Sequence, residues 1–182
     1  MLNESLGWCG KLPIYSDFIQ SSHFQDVQKA LMKWMMNGQD HIGEQFIQSN
    51  NTQFSMYYYF LESSITDHKR IQGIFFSSQD SRGRRFPFMM FTHQHRIQPM
   101  QAMQYFQQQL HAMNVEWHAI SEHLDADVLH HAQQHLAQIN VNEMFEGDKD
   151  LWLELYPEAL QNNFKIDSTN HVVYRKLLIR DA

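Results

Sequence analysis

Gln53-Phe54-Ser55-Met56-Tyr57-Tyr58-Tyr59-Phe60-Leu61 (QFSMYYYFL) is the stretch on which the fold turns. Its aromatic residues suit a pleated, packed surface, so it reads as a strand. Downstream, Ile71 to Phe76 (IQGIFF) reads as a second strand and Phe86 to Phe91 (FPFMMF) as a third. Pro87 stands near the start of the third, where a missing N–H is tolerated. From Pro99 to about Asn140 the apolar period lengthens. Met100, Met103, Phe106, Leu110 and Met113 form one helical stripe; Val128, Leu129, Ala132, Leu136 and Ile139 form another. Upstream, Ser5 to Phe18 is a turn-rich lead-in. Ser21 or Ser22 then offers an N-cap for a helix with Phe24, Val27, Leu31, Trp34 and Met35 on one face. Gly38 is expected to end or kink that helix before a second turn through Ile42 and Phe46. Leu151 to Leu155 and His171 to Ile179 read as late strands. The order helix, three strands, two helices, two strands predicts an α+β fold: a single domain over 1–182, with a largely antiparallel or mixed sheet of about five strands packed with helices.

Composition narrows the function. The chain is 43% hydrophobic and 13% aromatic, enough for a real core over 182 residues. A net charge of −6 argues against general attraction to nucleic acid or anionic lipid. No apolar stretch approaches membrane-spanning length, and MLNESLGWCGK has no basic region followed by an apolar core, so neither membrane insertion nor a signal peptide is expected. One cysteine, Cys9, fits a reducing compartment, and the cytoplasm is the expected location. The charge is uneven. Six basic residues face two acids between Asp67 and Arg96, while eleven acids face two lysines between Glu116 and Asp167. Either two distinct faces or mutual neutralisation satisfies that pattern.

Catalytic and metal motifs fail one by one. A phosphate-binding loop around Gly10-Lys11 would need Gly and Ser or Thr where Ser5 and Leu12 stand. Gly7-Trp8-Cys9-Gly10 has the GxxG form of one RNA-binding module, without its preceding helix. Cys9 lacks the surroundings of a nucleophile. His131 and His135 have a zinc-compatible i, i+4 spacing, with His118, His123 and His130 near in sequence, yet no Glu, Cys or acidic set completes a site. Asp125 and Asp127 do not share a helix face. The expectation is a chain without catalytic residues, cofactor or metal.

Two segments remain. Ser78-x-Asp80-x-x-Gly83-Arg84-x-Phe86-Pro87 links two strands. Gly83 can take the positive φ of a tight turn, and Asp80 can fold onto the turn's own N–H groups. Arg84 is expected to pair with Asp80 or Asp17, leaving Arg82 and Arg85 exposed as contacts for a carboxylate or phosphorylated side chain on a protein partner. The other segment is Gly7-Trp8-Cys9-Gly10-Lys11-Leu12-Pro13-Ile14-Tyr15-Ser16-Asp17-Phe18. Trp8, Phe18, Trp34, Phe75, Phe88 and Trp152 are the aromatic residues expected in the core.

Together the two segments resemble the TagF family of type VI secretion-associated proteins, which opens with a GWxGKLPxxGDF-like motif and later carries an SxDxxGRxFP-like loop. Gly7, Trp8, Gly10, Lys11, Leu12, Pro13, Asp17 and Phe18 match the first; Ser78, Asp80, Gly83, Arg84, Phe86 and Pro87 match the second. Trp34 fits a following helix, and Leu151-Trp152 is similar to a later LW element. Ser16 stands where the family tends to have glycine. The resemblance implies a bacterial, cytoplasmic, non-enzymatic repressor that acts post-translationally on type VI secretion, in connection with a forkhead-associated scaffold protein and a kinase/phosphatase pathway. Its motif or partner-contact residues would be Gly7, Trp8, Gly10, Lys11, Pro13, Asp17, Asp80, Arg82, Gly83, Arg84 and Arg85. A structural or chaperone-like subunit of the secretion apparatus, or an enzyme using Cys9 or His131 and His135, are the alternatives.

Overall fold

The computed structural model describes residues 6–43, 54–93, 97–122, 124–144, 150–156, 164–166 and 171–178. Seven strands form one sheet: β1 (Leu6–Gly10), β2 (Ile19–Gln20), β3 (Met56–Leu61), β4 (Ile71–Phe76), β5 (Phe88–Thr92), β6 (Asp150–Tyr156) and β7 (Phe164–Ile166). Their spatial order is β2-β1-β5-β4-β3-β6-β7, and every pairing is antiparallel. Six α-helices accompany them among the described residues: α1 (Gln25–Ile42), α2 (Pro99–Ala112), α3 (Trp117–Ile120), α4 (Ala126–Leu136), α5 (Val141–Met144) and α6 (His171–Leu178). The fold is α+β, as the sequence predicts.

The central strands β3, β4 and β5 are buried without interruption because both faces of the sheet are covered. Along β3, Met56, Tyr58 and Phe60 turn to the face where α2, α4 and α5 pack, through Met103, Phe106, Leu110, Leu129 and Leu136. Tyr57, Tyr59 and Leu61 turn to the other face, beneath α1 and α6, with Leu31, Trp34, Met35, Tyr174 and Leu177. A period of two along the strand thus feeds two cores from one segment.

Several expectations are corrected. His171–Leu178 is a helix, not a strand, because Tyr174, Leu177 and Leu178 fall on one helical face and are buried against α1 while Arg175 is exposed. Ile179 lies outside the described residues. Gly38 does not end α1; the helix runs on to Ile42, with Gly43 as its C-cap, and Phe46 lies outside the described residues. A Cβ at Gly38 would overlap the Tyr174 ring, so the glycine makes room for α6. Neither Ser21 nor Ser22 caps α1: Phe24 holds the N-cap position at φ 60°, ψ 39°. The buried Ser21 hydroxyl instead accepts from Gln28 Nε2 and from Trp8 N–H. The lead-in contains β1, and β2 follows it directly; with β7 they bring the strand count to seven.

Candidate functional site

The N-terminal segment is shaped first by two backbone constraints. Gly10 ends β1 at φ 129°, and a Cβ there would collide with the Pro87 carbonyl, so only glycine allows this approach. Leu12-Pro13-Ile14-Tyr15 then turns the chain, with Tyr15 N–H donating to Leu12 O at 3.1 Å and Pro13 at the second position, where its fixed φ is favoured. Gly7 and Trp8 lie in β1 opposite Phe91 and Met90 of β5.

The arginine loop is built by the sheet on either side. Gln79 and Arg85 form an isolated antiparallel bridge, and Phe86 N–H donates to Ser78 O at 3.1 Å. At the tip, Gly83 takes φ 76° and donates to Asp80 O at 2.9 Å. The Asp80 carboxylate folds back over this turn: Oδ1 accepts from the N–H groups of Arg82 and Arg84, each at 3.0 Å.

The two segments meet on Asp80. Its Oδ2 accepts from Lys11 Nζ at 3.0 Å and from Arg84 Nε at 2.7 Å. Arg84 Nη2 donates onward to Ser16 O at 2.7 Å, and Ser81 N–H donates to Tyr15 O at 2.8 Å. The Asp80 side chain is fully buried and that of Lys11 only 7% exposed. Lys11 Nζ also lies 4.7 Å from the centre of the Phe18 ring, so carboxylate and π-face together replace the water its charge has lost. Burial alone would raise the Asp80 carboxyl. Hydrogen bonds from Lys11, from the Arg84 and Arg82 amides and from the Arg84 side chain outweigh that and hold it well below the usual carboxylate range.

Of the two acids expected for Arg84, Asp80 is the partner. Asp17 is exposed and uses Oδ1 to accept from Phe18 N–H at 2.8 Å. Phe18 is not a core residue; it is 41% exposed and sits edge-on to Phe86, with ring centres 4.8 Å apart. Trp8 is half-buried, while Trp34, Phe75, Phe88 and Trp152 are buried. Ser16 fits where glycine was expected because its backbone is not in the positive-φ region and contributes only its carbonyl. Arg82 is exposed as expected. Arg85 is not: it is half-buried, and its Nη1 is buried without a hydrogen-bond partner among the described residues.

Of the other chemical candidates, Cys9, Asp125 and His131 sit in structural settings, and His123 lies outside the described residues. Cys9 is fully buried in β1, and burial pushes its thiol up to about 12, which suppresses the nucleophilic thiolate. Asp125 is the N-cap of α4, accepting from Val128 N–H at 2.9 Å. His131 Nδ1 lies 2.8 Å from Asp127 O, one turn back on its own helix. Among the described residues, no three His, Cys, Asp or Glu side chains gather in a way that could hold a metal ion. No helix among them is long and apolar enough to cross a membrane.

No curated protein matches the chain. A solved structure from Pseudomonas aeruginosa PAO1, that of PA0076, is similar over 75% of this chain and 63% of its own, at 16% identity and a TM-score of 0.45. The chain thus spans less than two thirds of that protein. Residues 7–143 match the TagF N-terminal domain family, TagF_N, described as type VI secretion system-associated. That match runs from Gly7 in β1 to Glu143 in α5 and takes in Lys11, Asp80 and the whole arginine loop, and the chain belongs to this family.

Proposed function

We propose that this chain is a cytoplasmic, non-enzymatic regulator that represses type VI secretion post-translationally by contacting a protein partner, a forkhead-associated scaffold of the secretion pathway. One observation carries the reading. Arg82 is exposed at the tip of a loop whose backbone is clamped at that residue by the buried Asp80 carboxylate. A guanidinium on a pre-ordered backbone loses little freedom on binding, and its planar fork suits a carboxylate or phosphorylated side chain. Family membership supplies the link to type VI secretion.

The test is Arg82→Glu in the full chain, read by circular dichroism and by co-precipitation with the scaffold. An exposed substitution of this kind changes stability by about 0.5 kcal/mol or less, so the fold should survive. Co-precipitation should be lost and secretion derepressed. A folded Arg82→Glu protein that still co-precipitates at the parent level removes the loop tip from the interface.

A further inference from the structure

An open cleft of about 170 Å³ is bordered by Gln39 of α1, Ser78 and Arg85 at the base of the loop, and the apolar Phe54, Phe86 and Ile120. All three of those polar side chains carry a buried atom with no hydrogen-bond partner among the described residues: Gln39 Nε2, Ser78 Oγ and Arg85 Nη1. Buried donors are ordinarily paired, and an unpaired one is costly, most of all on a charged group. Three around one cleft point to a missing acceptor.

Their chemistry defines it. Gln39 Oε1 already accepts from Tyr174 OH at 3.1 Å, which leaves its amide N–H as the group on offer. Arg85 donates only, and a serine hydroxyl can donate. A ligand that accepts can therefore satisfy all three. It must also balance one positive charge, because no ion pair among the described residues involves Arg85, whereas Arg84 is committed to Asp80. A monoanion with two acceptor oxygens matches. A dianionic phosphate would bring a second negative charge to a half-apolar cleft where Arg85 is the lone cation. Small-molecule sites usually exceed about 300 Å³. This cleft is smaller and holds a side chain, not a whole metabolite. We infer that it receives the carboxylate of an acidic residue on a polypeptide partner, with the neighbouring apolar residue of that partner resting on Phe54, Phe86 and Ile120. The inference stands apart from the Arg82 reading, since the cleft could bind with the loop tip removed from the interface.

The probe is acetyl-Leu-Glu-Leu-amide, titrated into the full chain and followed by NMR at the Arg85 Nε–H resonance and by calorimetry. The glutamate peptide should shift that resonance and saturate. The glutamine analogue should bind about tenfold or more weakly, because the charge-assisted hydrogen bonds are lost. Arg85→Lys keeps the charge but not the fork and should cost a similar factor. Ser78→Ala should weaken binding by a smaller one. Should Arg85→Lys not fold, the parent's resonance shift and the Glu/Gln ratio still decide. Equal binding of the two peptides, tighter binding of the phosphoserine analogue, equal binding of free glutarate, or saturation without movement of the Arg85 resonance would each overturn the assignment.

Discussion

Asp80 shows how one buried carboxylate can unite segments 69 residues apart. It accepts from two side chains and two backbone amides, so its negative charge strengthens every one of these contacts. The pH dependence follows. Its folded-state pKa lies below the value near 3.9 of an unfolded aspartate, so its stabilisation is complete above that value and declines as pH falls through it. Asp80→Asn should therefore lower the urea midpoint clearly at pH 7, and the gap between parent and variant should narrow steadily below about pH 3.9. A gap that stays constant from pH 7 to pH 2.5 would show that the charge contributes nothing. Much of this was legible: Asp80, Gly83 and Arg84 have the spacing of a turn that closes on its own acid. The Lys11–Phe18 contact was not, because Phe18 reads as a core aromatic, and only tertiary approach turns its face to an ammonium group.

Between elements, what decides is where a small residue lets another element come close. In α1, Gly38 leaves space for the Tyr174 ring of α6, and Tyr174 also packs edge-on against Trp34 with ring centres 5.4 Å apart. Leu177 of α6 is tied from the sheet side, since the Ser55 hydroxyl donates to its carbonyl at 2.7 Å. In an exposed helix, glycine to alanine stabilises by up to about 1 kcal/mol. Gly38→Ala should do the opposite here, losing on the order of 1–3 kcal/mol to overpacking against the ring. Chemical denaturation measures it, and an increase in stability would mean that α6 does not dock at Gly38. Single-residue patterns misled in this region for a definite reason. HVVYRKLLI is rich in β-branched residues and suits a strand in isolation, yet burial against α1 selects a period of 3.6 instead. LGWCG failed in the other direction: two glycines suggest a turn, while full pairing with β5 makes it a strand.

Across the whole molecule, the sheet couples two cores that do not touch each other. Trp34 stacks on Trp152 at 5.8 Å beneath α1, whereas Phe106 is buried on the opposite face with Met103 and Leu110. The strands between them contribute alternate residues to each side, so Tyr58 and Tyr59, one peptide apart, belong to different cores. Loosening either layer should weaken the strands on which the other layer rests. Trp34→Ala and Phe106→Ala should each cost about 3–5 kcal/mol. For a chain of this size that corresponds to a fall of roughly 6–20 °C in Tm. Each variant should also keep one cooperative transition, with far-UV and near-UV circular dichroism melting together. If Trp34→Ala splits the melt, so that aromatic packing is lost well before secondary structure, the two layers are separate cooperative units. In that case the Asp80 clamp, which joins β1 to the loop before β5, would be holding together parts that the core itself does not.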